Sequence, residues 1–148
     1  MNETDVIVVG AGLVGAAVAY ELRRAGQRVV VLERERELCA GASRSNSGVL
    51  HTGFDSTPGS FETRMIRDQA ARWPGVFEEL GIPYKIPGAL LLAHSEAEEA
   101  QLPDIAQQAA LNGVHTELLD EAETRRAEPH SRARASLLVP GEAIADPF

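Results

Sequence analysis

Cysteine is nearly missing from this chain. Cys39 stands alone among 148 residues, which excludes an internal disulfide and any cysteine-built zinc or iron–sulfur site, and suits a reducing compartment. Positive charge is also scarce: 14 Lys+Arg against 22 Asp+Glu leave a net charge of −8. No cationic excess exists to neutralise a phosphate backbone or an anionic membrane surface, so nucleic acid is not an expected partner. Long apolar runs are absent as well. Ala89 to Ala93 is strand-sized, against the roughly 18 residues needed to cross a bilayer, so no transmembrane segment is expected. The opening MNETDVIVVGAG lacks the basic region of a signal peptide. The expected location is therefore cytoplasmic, any contact with the inner face of a membrane being made through a partner. What remains is ordinary: 44% hydrophobic and 24% charged residues, 13 Gly and 8 Pro, in a length that suits about one globular domain.

Asp5 to Val9 is a β-branched run without alternation, which predicts a strand buried on both faces of a parallel sheet. Leu13 to Ala25 is rich in Ala, Leu and Val and is followed by Gly26 at a helix C-terminus. Arg28 to Glu33 repeats the strand pattern, so the first 33 residues spell a βαβ unit. Cys39 to Thr57 is a loop rich in Ser and Gly. Ser60 to Leu80 has helical spacing, with Phe61, Trp73 and Phe77 as expected core residues and a kink or split at Pro74-Gly75. Ala89 to Ala93 reads as a strand, and Glu96 to Leu111 as one acidic surface helix started by Ser95, with Glu96, Glu98 and Glu99 on a solvated face. Val114 to Leu118 is expected to be a short strand and Asp120 to Glu128 a short helix.

Gly10-Ala11-Gly12-Leu13-Val14-Gly15 places GxGxxG between a buried strand and a helix. There the first glycine permits the turn, the second admits a pyrophosphate to the backbone and the third lets the helix lie close to the strand. The anion rests on the free N–H groups of the helix N-terminus. Glu33 ends the second strand 23 positions after Gly10, near the spacing of about 20 at which a carboxylate meets an adenosine ribose. Its charge argues against the 2′-phosphate of NADP, which leaves NAD or FAD. The segment Gly41 to Gly53 then supplies many small hydroxyl, amide and backbone donors, as a loop wrapping a polar ligand would. His94, His115 and His130 have no partner at ligand spacing, so no metal site is expected; Cys39 precedes the loop and could touch a cofactor, but an inert, buried thiol is the expected reading.

Three stretches, DVIVVGAGLVGAAVAYELRRAGQRVVVLERE (5–35), GASRSNSGVLHTGFDSTPGS (41–60) and VPGEAIADPF (139–148), resemble the FAD-dependent oxidoreductases of the D-amino-acid-oxidase-like superfamily. The likeness is nearest to the branch of glycerol-3-phosphate dehydrogenase and L-2-hydroxyglutarate dehydrogenase. This implies an α/β fold: a Rossmann-like FAD-binding βαβ unit (1–80 as the N-terminal part of the FAD-binding domain) and the beginning of an α+β substrate domain (81–148). Members of the family are longer, so the resemblance implies an N-terminal portion.

With FAD as the implied cofactor, Gly10, Gly12 and Gly15, with the helix-opening Leu13 and Val14, would hold the pyrophosphate. Glu33 would bind the adenosine ribose and Arg34 would flank the adenine. Ser43, Ser45, Asn46 and Ser47 would run along the ribityl-phosphate region, and Gly48, Val49 and His51 would reach the isoalloxazine. His51 is the candidate catalytic residue, as a base, a hydrogen-bond donor or a covalent attachment point, against the alternative of a structural loop residue. The implied activity is hydride transfer to flavin from the hydroxyl-bearing carbon of a small acid such as glycerol 3-phosphate or a 2-hydroxy acid. Amine or amino-acid oxidation is one alternative and a non-catalytic nucleotide-binding module another. The electron acceptor, whether quinone, oxygen or a partner protein, stays open.

Overall fold

Four β-branched and apolar residues, Val6–Val9, form β1, which pairs in parallel with β2 (Val29–Leu32), Val6 opposite Val29 and Val9 opposite Leu32. Parallel pairing needs a crossover, and α1 (Leu13–Arg24) supplies it. Arg23 and Arg24 sit in its last turn, where cations suit the helix dipole. The entry to both strands is tied by Arg28, whose Nε and Nη2 donate to the Asp5 carboxylate at 2.9 and 2.7 Å. The Arg28 guanidinium holds the Asp5 carboxyl below its ordinary range. A 3-10 turn at Ala42–Ser45 follows.

The computed structural model describes residues 3–146, which divide into two units, 3–47 and 48–146. The 80/81 boundary expected from sequence falls inside the second. In the first unit, burial on both strand faces is not found: Val6 and Val8 are half-buried while Ile7 and Val9 are exposed, Val9 by 83%. The reason is the number of layers. α1 lies on the face of Val8, and no element among the described residues of this unit covers the other.

The second unit holds two three-stranded antiparallel sheets. In one, β3 (Val49–Leu50) and β4 (Tyr84–Lys85) flank β8 (Ala143–Ala145); in the other, β5 (Ala89–Ala93) and β6 (Glu117–Asp120) flank β7 (Ala135–Val139). β7 is the centre of the core. Leu137 and Val139 are fully buried, and Leu137 joins Ala93, Leu102 and Ala135 in a cluster against which Phe54, Leu91, Ile105 and Ala106 pack.

The helices are α2 (Phe61–Ala70), α3 (Trp73–Leu80), α4 (Glu96–Glu99), α5 (Leu102–Leu111) and α6 (Glu121–Ala127). The expected split of 60–80 occurs, with Pro74 in the first turn of α3, where its missing N–H costs nothing. The single helix expected over 96–111 is instead α4 and α5. Pro103 lies in the first turn of α5, and its ring forbids continuation from the preceding turn. The strand expected at 114–118 lies at 117–120. Trp73 and Phe77 are half-buried and meet Tyr84 edge-to-face. Phe61 is 70% exposed and not core: it opens α2 on the solvent side, and the residue that helix buries is Thr63.

Candidate functional site

Gly10 and Gly15 do in this structure what the spacing implies for the turn and the close approach. Gly10 adopts φ +97°, a conformation that only glycine enters without strain. A Cβ on Gly15 would sit inside the van der Waals shell of the Gly10 carbonyl oxygen, so the close approach of α1 to β1 requires glycine. Glu33 folds back over the turn: one carboxylate oxygen accepts from the Ala11 amide at 2.6 Å, the other from the Glu35 amide at 2.9 Å. These bonds, that from Glu35 foremost, hold the Glu33 carboxyl below the usual carboxylate range against an opposing desolvation.

Ser43 reaches the same place from the loop. Its Oγ accepts from the Leu13 amide at 2.9 Å and would lie 3.1 Å from a Cβ on Gly12. This serine therefore caps the helix that Gly12 leaves uncapped, a role its sequence context does not advertise. Cys39 is half-buried, its backbone is left-handed (φ 57°), and its N–H donates to the Ala11 carbonyl at 3.0 Å. Gly12, Glu33, Arg34, Glu35, Ser43 and the segment 39–42 line one cavity of about 300 Å³.

The groups lining this cavity suit an anion beside a hydroxyl-bearing ligand, the chemistry that a pyrophosphate and a ribose present. The first-turn amides of a helix lack intrahelical partners. With Leu13's taken by Ser43, those of Val14 and Gly15 remain for an anion, beside a space that a side chain on Gly12 would narrow and a carboxylate already oriented by two amides. Arg34, exposed and paired with Glu35 at 3.0 Å, stands at its rim. Ser45, Asn46 and Ser47 belong to the same unit but do not line the cavity.

Gly48, Val49 and His51 belong to the second unit. There His51 Nδ1 lies 3.4 Å from Glu142 Oε2, a partner that sequence reasoning missed although Glu142 stands in the VPGEAIADPF stretch. His94, His115 and His130 are exposed, and no group of residues able to hold a metal ion occurs among the described residues. No helix among them is long and apolar enough to cross a membrane.

A family model described as "FAD dependent oxidoreductase" matches residues 5–148. The chain belongs to this family. FAD is thus the nucleotide, and the NAD alternative left by the fingerprint is set aside. Among curated relatives, the mitochondrial L-2-hydroxyglutarate dehydrogenase of Caenorhabditis elegans is 32% identical over 145 residues, covering 96% of this chain and 34% of its own. The glycerol 3-phosphate oxidase of Mycoplasma pneumoniae is 32% identical over 99% of this chain and 40% of its own. Among solved structures, the FAD-bound L-alpha-glycerophosphate oxidase of the same organism superposes with a TM-score of 0.91 at 30% identity, and a glycine oxidase from Geobacillus kaustophilus with 0.88 at 26%, covering 40% and 41% of those chains. The chain therefore spans roughly two-fifths of the length of these family members or less.

Proposed function

We propose that this protein is an FAD-dependent dehydrogenase or oxidase acting on the hydroxyl-bearing carbon of a small acid, of the class of glycerol 3-phosphate or a 2-hydroxy acid. The observation that carries the reading is the convergence of Gly12, Glu33 and Ser43 on one cavity in a chain whose relatives act on those substrates. When bound, FAD supplies the hydride acceptor. The chain's own residues bind and orient. Gly10, Gly12, Leu13, Val14 and Gly15 receive the pyrophosphate, Glu33 accepts from the ribose hydroxyls, Arg34 flanks the adenine, and Ser43, Ser45, Asn46 and Ser47 serve the ribityl-phosphate region. For Gly48, Val49 and His51 the assignment rests on the family pattern alone, with His51 as the group that takes the substrate's proton. The division into an FAD-binding part (1–80) and the start of a substrate domain (81–148) is part of the same proposal.

The test begins with the purified chain and added FAD: flavin retained through desalting supports the reading, and uptake of NAD in place of FAD overturns it. Gly12→Val, which fills the space beside Ser43, is expected to weaken FAD binding by about tenfold or more, or about 1.4 kcal/mol, with circular dichroism preserved. Anaerobic bleaching of the flavin-loaded protein by glycerol 3-phosphate or L-2-hydroxyglutarate then supports hydroxyl oxidation. The similarity to glycine oxidase favours a second reading, amine oxidation, and bleaching by glycine alone would select it. Retained flavin that neither class bleaches would leave a nucleotide-binding module. Reoxidation by oxygen or by a quinone analogue identifies the electron acceptor.

A further inference from the structure

Glu142 sits in the turn between β7 and β8, and its side chain is only 4% exposed. A buried carboxylate is costly unless its oxygens have partners, and here Oε1 is hydrogen-bonded while Oε2 stands within ion-pair distance of a ring nitrogen. Oε1 accepts from the Thr52 amide and from the Thr52 hydroxyl, each at 2.7 Å. Oε2 lies 3.4 Å from His51 Nδ1, on a ring whose side chain is 63% exposed. The juxtaposition follows from strand register. Val49 opposes Ile144 and Leu50 opposes Ala143, so the next antiparallel step sets 51 against 142. Gly141 makes room for the loop, since a Cβ there would stand 3.1 Å from Thr52 Cγ2. Tyr84 and Lys85 on β4 and Asp146 beyond β8 are further ionisable groups on this sheet. Among the described residues, Glu142 is the charged group within ion-pair distance of His51.

We propose that Glu142 is a positioning residue for His51: it accepts the Nδ1–H of the neutral imidazole, fixes that tautomer, and leaves Nε2 as the ring's free acceptor for the substrate's proton. The proposal rests on the reading of His51 as the proton-accepting group. In the step, Nε2 takes the proton from the substrate's hydroxyl, the ring becomes imidazolium, and Glu142 Oε2 keeps its place at the Nδ1–H. A carboxylate behind an imidazole acts in this way wherever the far nitrogen must stay bare. Thr52 serves the same end by occupying Oε1, so that Oε2 is the oxygen that faces the ring.

The experiment reads the tautomer directly, by long-range proton–nitrogen correlation NMR on the 15N-labelled 148-residue chain at about pH 9, where imidazole is neutral. Wild-type His51 is expected to carry its proton on Nδ1, with Nε2 unprotonated. Predominance of the Nε2–H form would overturn the proposal with no variant needed. Glu142→Gln keeps an acceptor for Thr52 but sets an amide donor beside Nδ1, and is expected to move the proton to Nε2. An unchanged tautomer in that variant, with the fold intact, likewise overturns it. Thr52→Val removes the hydroxyl bond to Oε1 but keeps the amide bond and the carboxylate, so it is expected to keep the wild-type tautomer, and a shift of the proton to Nε2 there would show that the carboxylate alone does not set it and overturn the proposal. His51→Ala in the flavin-loaded protein tests the base reading separately: an unchanged rate of flavin reduction by substrate rejects that reading, whereas a slowed rate beside a wild-type Nε2–H ring rejects only the role of Glu142.

Discussion

Residues 3–47 and 48–146 are stabilised in different ways. The first unit has Ala11 as its buried apolar residue and exposes Ile7, Val9, Leu13, Val14 and Leu32, whereas the second places Leu137, Val139, Ala93 and Leu102 out of solvent. Polar hooks do in the first what packing does in the second: Asp5 on Arg28, Glu33 on two amides, Ser43 on the mouth of α1. The apolar residues it exposes on β1 and β2 lie on strands with a single covering helix among the described residues of this unit, and the residues lining the cavity are different ones.

The largest expected effect breaks the second unit. Leu137→Ala removes a fully buried side chain from the central strand β7, where a cavity cannot collapse without moving β5 and β6 on either side. A loss of about 2 to 5 kcal/mol is expected, measured as a fall in the urea midpoint. Hydrogen exchange sharpens the comparison in wild type. Amides of β7 should exchange most slowly and those of β1 and β2 far faster, since protection follows buried contact density. Equal protection in the two units would show that the polar hooks hold as firmly as the core.

Gly15→Val is next. Its Cβ would collide with the Gly10 carbonyl oxygen, backbone that can yield only by lifting α1 from β1, at about 3 kcal/mol on the scale of overpacking. Faster exchange throughout 6–32 and loss of FAD retention are expected, with β7 protection unchanged. Loss of protection in β7 as well would mean that the two units unfold together.

How legible each unit is from sequence follows from the same contrast. The first is written in local rules: glycines at fixed offsets, a strand, a helix, an acid at the strand's end. The βαβ order and the cavity residues Gly12 and Glu33 stand in those rules, whereas Ser43 entered only through the family resemblance and its cap on the Leu13 amide was not legible; nor was the one-sided burial of β1, because an apolar run states its preference for burial and not whether a second layer is present. In the second unit the long-range pairings were hidden. β7 lies in a stretch, 129–148, that offers no turn-bounded alternation, and β4 is two residues long. Pro103 was the available signal for the break between α4 and α5. Glu142 reads as one more surface acid until β3 and β8 are put in register, since its partners stand 90 residues away.

The smallest expected effect concerns acid. Asp5 and Glu33 in the first unit are held below their ordinary values, by Arg28 and by the amides of Glu35 and Ala11 respectively, and Glu98 in the second by the amides of His94 and Ser95 in the capping box of α4. A carboxyl whose folded value is depressed contributes stability that is full above its unfolded value, about 3.9 for Asp and 4.3 for Glu. That contribution is lost as pH falls through the folded value. All three groups are solvent-accessible, so screening keeps each effect modest. In the first unit, however, the hooks are a larger share of what holds the fold, and the acid sensitivity should concentrate there. Exchange at Gly10 and Ala11, followed from pH 7 down to about pH 3 and corrected for intrinsic rates, should lose protection below about pH 4, before β7 does. Glu33→Gln should flatten that dependence at Ala11 while lowering protection at neutral pH, because an amide oxygen can accept one of the two bonds but carries no charge to lose. If wild type and Glu33→Gln lose protection with the same slope, the Glu33 hook is not part of what keeps the glycine turn closed, and the first unit must be held by the Asp5–Arg28 pair and the packing of α1 on Val8.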